Sequence, residues 1–143
     1  MNKPPKKLHT LIVEDDARTA RALRDALAEL DCPVCGHAYT GVGAALMAER
    51  FLPDLIAIST RLSDGIAAAQ IMKDRVDATI LFIGDPPDPA THRLAEAVGV
   101  LVRKPQKAEL NAAILAAFRR GNRPAKPTWR REGIQVPIVP IAV

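Results

Sequence analysis

Pro53-Asp54-Leu55-Ile56-Ala57-Ile58-Ser59-Thr60-Arg61-Leu62-Ser63-Asp64-Gly65 is the stretch whose reading decides the fold. Leu55 to Ile58 is an unbroken apolar run, the pattern of a strand covered on both faces. Pro53 closes off the helix before it, and Asp64-Gly65 is turn chemistry leading into the next helix. In open α/β sheets ligands sit at the carboxyl ends of the strands. Ser59, the first polar side chain after the run, therefore stands at the expected functional point.

Upstream, Leu11-Ile12-Val13 is a short β-rich run followed at once by Glu14-Asp15-Asp16. A helix then carries Ala20, Leu23, Leu27 and Leu30 at spacings of three and four, with Arg21 and Asp25 as an i,i+4 pair on its wet side. Val34 to Ala38 is a second strand, and Tyr39-Thr40-Gly41 turns into a helix over Val42 to Arg50. Downstream, Ala67, Ala68, Ile71, Met72 and Val76 form the stripe of another helix. Thr79 to Ile83 is a strand ending at Gly84-Asp85. Asp88 as N-cap with Pro89 behind it starts a helix holding Leu94, Ala97 and Val98. Val100 to Arg103 is the last strand, followed by Lys104-Pro105. The final helix turns Leu110, Ile114, Ala117 and Phe118 inward and ends at Arg119-Arg120-Gly121. Strands alternate strictly with helices. That order predicts an α/β fold: a doubly wound, five-stranded parallel sheet with helices on both faces.

The 143 residues suffice for one domain with a full core, and 48% of them are apolar, a globular composition. Aromatics are only 3%, so stacking on nucleic-acid bases is poorly supplied. No apolar run approaches a membrane span and no signal-like segment opens the chain, so a cytoplasmic protein is expected. The formal charge of +4 lies in the ends: residues 1–10 carry three Lys and no acid, and residues 121–143 carry four Lys or Arg against one Glu. The body between is slightly acidic. Residues 1–7 read as a basic extension and 8–120 as the domain. Residues 121–143 read as a Pro-containing basic linker and an apolar tail from Ile134 to Val143, whose prolines exclude a helix or central strand. Cys32 and Cys35 have redox-dithiol spacing, but they sit between a helix end and a strand, without the cationic surroundings of a reactive thiolate. They read as small residues on a turn.

Three polar groups converge at the strand ends: Glu14-Asp15, Ser59 and Lys104. Taken in order, Leu11-Ile12-Val13-Glu14-Asp15-Asp16, Pro53-Asp54-Leu55-Ile56-Ala57-Ile58 with Leu62-Ser63-Asp64-Gly65, and Val102-Arg103-Lys104-Pro105 resemble the response-regulator receiver domain of two-component signalling. The resemblance covers about residues 8–120. It implies the flavodoxin-like, CheY-like fold with strand order 2-1-3-4-5. It also implies that Glu14, Asp15 and the backbone carbonyl of Arg61 match Mg²⁺ ligands, that Lys104 matches the lysine that pairs with the phosphoryl group, and that Pro105 follows a cis bond.

The departures from that family pattern fall on one mechanism. Ser59 replaces the acceptor Asp, and a hydroxyl is a poor nucleophile without a base. Gly84 stands where a Thr or Ser follows the phosphoryl group, and Leu101 where an aromatic swings inward. With one carboxylate fewer, Mg²⁺ is expected to bind weakly or not at all, and Lys104 to pair directly with Asp15 or Glu14. The reading is a degenerate receiver: a stand-alone, atypical response regulator of bacterial phosphorelay signalling. It would not be an enzyme and would have no cofactor, acting by protein–protein contact without Asp phosphorylation. Its expected partner is a histidine kinase or another regulator. A homodimer would use the apolar tail or the face made by the fourth helix, fifth strand and fifth helix. The alternatives are a receiver phosphorylated at a substitute residue, Ser59 or Asp54, and, ranked last, nucleic-acid contact through the basic tails.

Overall fold

The computed structural model describes residues 7–121, the last three by backbone alone. The elements are β1 (Thr10–Val13), α1 (Ala17–Ala28), β2 (Val34–Ala38), α2 (Gly41–Phe51), β3 (Leu55–Ser59), α3 (Gly65–Arg75), β4 (Thr79–Ile83), α4 (Pro89–Val98), β5 (Val100–Val102) and α5 (Lys107–Gly121). All strand pairs are parallel, and the sheet order is β2-β1-β3-β4-β5. The expected fold is the observed one. The basic segment 1–6 and the tail 122–143 lie outside the described residues, and so does the proposed use of that tail in a dimer.

Side chains alternate along each strand, so the sheet feeds two cores. Leu11, Val13, Ile56, Ile58, Ile80 and Phe82 pack under α2, α3 and α4. Ile12, Leu55, Ala57, Leu81 and Ile83 pack under α1 and α5. Every residue of β3 is buried, as its apolar run requires. α2 and α3 approach closely because Gly41 has no side chain: a Cβ there would lie 2.6 Å from the Asp64 carbonyl oxygen and 2.8 Å from Ala68 Cβ.

Taken together, three helical stripes keep most of their expected residues, among them Ala68, Met72, Val76 and Val98, but lose some to solvent. α3 packs on the sheet with Ala68, Ala69 and Met72, and α4 with Ala95 and Val98. Ala67 and Ala97 face solvent, as do Ile71 and Leu94 at 49% and 48% exposure. Phe118 on α5 is also exposed, while Leu110, Ile114 and Ala117 are buried as expected. Alanines against the sheet let a helix sit close, and the larger residues then fall on the outer shoulder. Leu30 lies past the end of α1 and is half-buried. Asp25 lies 4.0 Å from Arg24, and among the described residues it forms no ion pair with Arg21.

Two local features bear on the functional edge. β2 carries a bulge at Cys35: Thr10 pairs with Val34 but Leu11 with Gly36. β5 stops at Val102, one residue short of the expected Arg103. No helix among the described residues is long and apolar enough to cross a membrane.

Candidate functional site

Strand register builds the site. Val13 pairs with Ile58, Ser59 with Ile83, and Ile83 with Val102, so the next residues of β1, β3, β4 and β5 reach the same edge. Glu14, Ser59, Gly84 and Lys104 are brought there together, as the sequence implied.

The three consecutive acids have different surroundings. Glu14 is buried, its amide donates to the Ala38 carbonyl at 2.9 Å, and its Oε2 accepts from the Asp16 amide at 3.0 Å. Burial raises its pKa above the usual 4.5, and neighbouring Asp15 adds to the rise, while the Asp16 amide and the Ser59 hydroxyl act against it. Asp15 is exposed. Asp16 is the N-cap of α1, accepting from the Thr19 amide at 2.9 Å and the Thr19 hydroxyl at 2.6 Å. Those bonds hold its carboxyl below the usual range.

Ser59 is buried beside Glu14, and its Oγ accepts from the Arg61 amide at 3.2 Å. Lys104 is exposed, and among the described residues it forms no ion pair with Glu14 or Asp15. The expected direct pairing is therefore not made. An exposed pair is worth at most about 1 kcal/mol, little against the cost of ordering a long side chain. Its neighbour Arg103 instead pairs with Asp85 at 3.2 Å. Among the described residues no three His, Cys, Asp or Glu side chains converge on a possible metal position.

No protein-family model and no curated protein matches the sequence. Solved structures do. The signal receiver domain of a modulated diguanylate cyclase from Desulfovibrio desulfuricans aligns at TM-score 0.74 and 27% identity, over 82% of this chain and 98% of that one. That of the response regulator NarL from Mycobacterium tuberculosis aligns at TM-score 0.70 and 22% identity, over 80% and 98%. The anti-anti-sigma factor PhyR from Bartonella quintana aligns at TM-score 0.65 and 26% identity, over 81% of this chain and 49% of its own length. The chain has the fold of response-regulator receiver domains, and its structural neighbours are such domains.

Two residues of the receiver site escaped the sequence reading. Thr60 is buried, and its amide donates to the Ile83 carbonyl at 3.0 Å. Its hydroxyl lies 3.3 Å from the same oxygen and 3.2 Å from the Asp85 carbonyl. It ties the end of β3 to the loop after β4. Gly84 in that loop has φ +105°, a conformation that favours glycine, so this position suits neither Thr nor Ser. Asp64, seen in the sequence only as a turn residue, caps a different helix: its two oxygens accept from the amides of Gly41 and Val42 at 2.9 and 3.1 Å, at the start of α2. A carboxylate suits that helix end. The only sequence signal for either residue is a polar type next to a turn.

The remaining candidates divide. Leu101 is half-buried against the core under α2, α3 and α4. The bond before Pro105 is trans, a correction to the cis expectation. The trans form is the lower in energy for X–Pro by about 0.5–1 kcal/mol. Asp54 stands at the opposite end of β3 from Ser59, roughly 16 Å away at strand rise, and accepts from the His9 amide at 3.0 Å. It cannot share a site with Glu14, which removes it as a substitute acceptor there. Burial pushes the Cys32 thiol up to about 11 and raises that of Cys35, so neither is a ready thiolate. His37, given no role from sequence, sets its Nε2 2.8 Å from the Glu14 carbonyl oxygen.

Proposed function

We propose that this receiver works in bacterial two-component signalling as an atypical member, by protein–protein contact and without Asp phosphorylation. The observation that carries the reading is Ser59 at the tip of β3, beside Glu14, where an acceptor would need a carboxylate. A Ser hydroxyl cannot form an acyl phosphate. The loop that would have to move is held at three points: by Thr60 from β3, by Arg103 on Asp85, and by the Gly84 amide on the Val102 carbonyl at 2.8 Å. Tethering of this kind favours a fixed surface over a switch.

Magnesium is held weakly or not at all in this reading. Glu14 already serves the Asp16 amide, and Asp15 with the Arg61 carbonyl makes a thin set for an ion that prefers several hard oxygens. The protein is not an enzyme and acts in the cytoplasm. It meets a histidine kinase or another regulator, or a second copy of itself, through the exposed shoulder of α4, β5 and α5.

A second reading has one observation in its favour. The Glu14 carboxyl interacts with the Ser59 hydroxyl and has a raised pKa, the combination a general base needs. Ser59 itself would then take the phosphoryl group. Incubating the purified chain with a small phosphodonor and Mg²⁺, followed by intact mass, decides. No gain supports the contact module. A stable Mg²⁺-dependent gain of one phosphoryl group on Ser59 supports the alternative.

A further inference from the structure

A groove of about 370 Å³ lies between α1 and the edge strand β2, beside the acidic turn. The sequence explains why it is open. α1 turns the small residues Ala17 and Ala20 toward it, and the bulge at Cys35 breaks the regular pairing of β2 with β1. The volume falls within the range of small-molecule sites.

Its lining is cationic and aromatic. Arg21 and Arg24 stand three residues apart on one side of α1, and among the described residues no acid lines the groove. Among the described residues Arg21 forms no ion pair, and Arg24 forms only a long, exposed one, with Asp25 at 4.0 Å. Opposite them are His37 and Tyr39, with ring centroids 4.4 Å apart and planes tilted by 41°. The Tyr39 ring is an exposed flat surface. Two guanidinium forks match a phosphate, and the exposed Tyr39 ring beside half-buried His37 matches a flat ring.

We infer that this groove binds a small phosphate monoester carrying a planar ring, of about mononucleotide size, with Arg21 and Arg24 on the phosphate and Tyr39 with His37 on the ring. The site reports to the carboxyl edge of the sheet. A carbonyl oxygen only accepts, so His37 Nε2 donates its proton to the Glu14 carbonyl at 2.8 Å. Glu14 in turn accepts from the Asp16 amide. A ligand that repositions His37 therefore acts on the acidic turn from the side. The inference stands whether or not Ser59 accepts a phosphoryl group, so its failure leaves the phosphodonor result untouched.

The test titrates the full chain with adenosine 5′-monophosphate, adenosine and inorganic phosphate, followed by amide NMR. The monophosphate is expected to bind saturably and at least about tenfold more tightly than either of its parts. The amides of Gly36 to Tyr39 and of Glu14 to Asp16 should move together. The double variant Arg21→Ala/Arg24→Ala, at two exposed positions, should keep the native spectrum and lose about tenfold or more in affinity. Absence of saturable binding overturns the inference. So does equal affinity for the monophosphate and one of its parts, binding unchanged in the double variant, or an acidic turn that stays still.

Discussion

Thr60 crowds the position a side chain at Gly84 would take: a Cβ built on Gly84 would lie 3.2 Å from Thr60 Oγ1. The same hydroxyl reaches the carbonyls of Ile83 and Asp85. The loop after β4 is thus shaped by a backbone conformation that strains any side chain at position 84 and by a neighbour that crowds it. Gly84→Ala should cost about 1–3 kcal/mol in urea denaturation, chiefly through the positive φ. A loss of only a few tenths would show that the loop relaxes freely, and the tethering argument would fail with it.

Asp64 joins the α3 start to the α2 start. Replacing it leaves the amides of Gly41 and Val42 without their carboxylate partner and removes a charge that suits that helix end. Asp64→Ala should destabilise by about 1–2 kcal/mol, and Asp64→Asn by less, since an amide oxygen can still accept. Chemical denaturation measures both. Equal losses would mean that the negative charge rather than a single acceptor oxygen dominates.

Ser59→Asp tests the missing carboxylate directly. It sets a second carboxylate against buried Glu14, so stability at neutral pH should fall by about 1–3 kcal/mol. Mg²⁺ at millimolar concentration should restore much of it by supplying the opposite charge, and should leave the parent protein almost unmoved. Thermal denaturation with and without Mg²⁺ separates the cases. An equal Mg²⁺ response in both proteins would show that residue 59 does not control metal binding.

Glu14 sets a pH dependence with a definite sign. Its pKa is raised in the folded state, so the folded chain holds that proton more tightly than the unfolded one. This group's penalty is therefore full at neutral pH. It fades as pH falls through the raised native value and is gone below the ordinary 4.5. Glu14→Gln, which keeps an acceptor for the Asp16 amide, should raise stability at pH 7 and flatten the profile across that window. Asp16 and Asp88, lowered by their capping bonds, act in the opposite direction further down, losing their contribution as pH drops below 3.8. A Glu14→Gln protein less stable than the parent at pH 7 would count against a buried, penalised carboxylate.

The two cysteines should be slow in the native chain. Cys32 is buried with its thiol pushed up to about 11, so at pH 7 almost none of it is thiolate. Labelling by a disulfide reagent should accelerate strongly in denaturant. Native labelling at the rate of a free thiol would contradict the packing of the turn before β2.

Sequence alone determined the order of elements, the parallel sheet, the meeting of Glu14, Ser59 and Lys104 at the carboxyl edge, and the Asp88-Pro89 start of α4, where Asp88 does accept from the Thr91 amide at 2.7 Å. These follow from periodicity and capping, which act over a few neighbouring residues. Only the tertiary structure decided which face of an Ala-rich helix is buried, since a broad apolar stripe leaves Ile71 and Leu94 as eligible as Ala69 and Ala95. It alone also joined Asp64 to α2, Thr60 to the loop after β4 and His37 to Glu14, pairs separated by more than twenty residues. It left Lys104 without Glu14 or Asp15 and put Asp54 at the far end of its strand. Such meetings depend on how five strands are laid side by side, and no local pattern of residues encodes that juxtaposition.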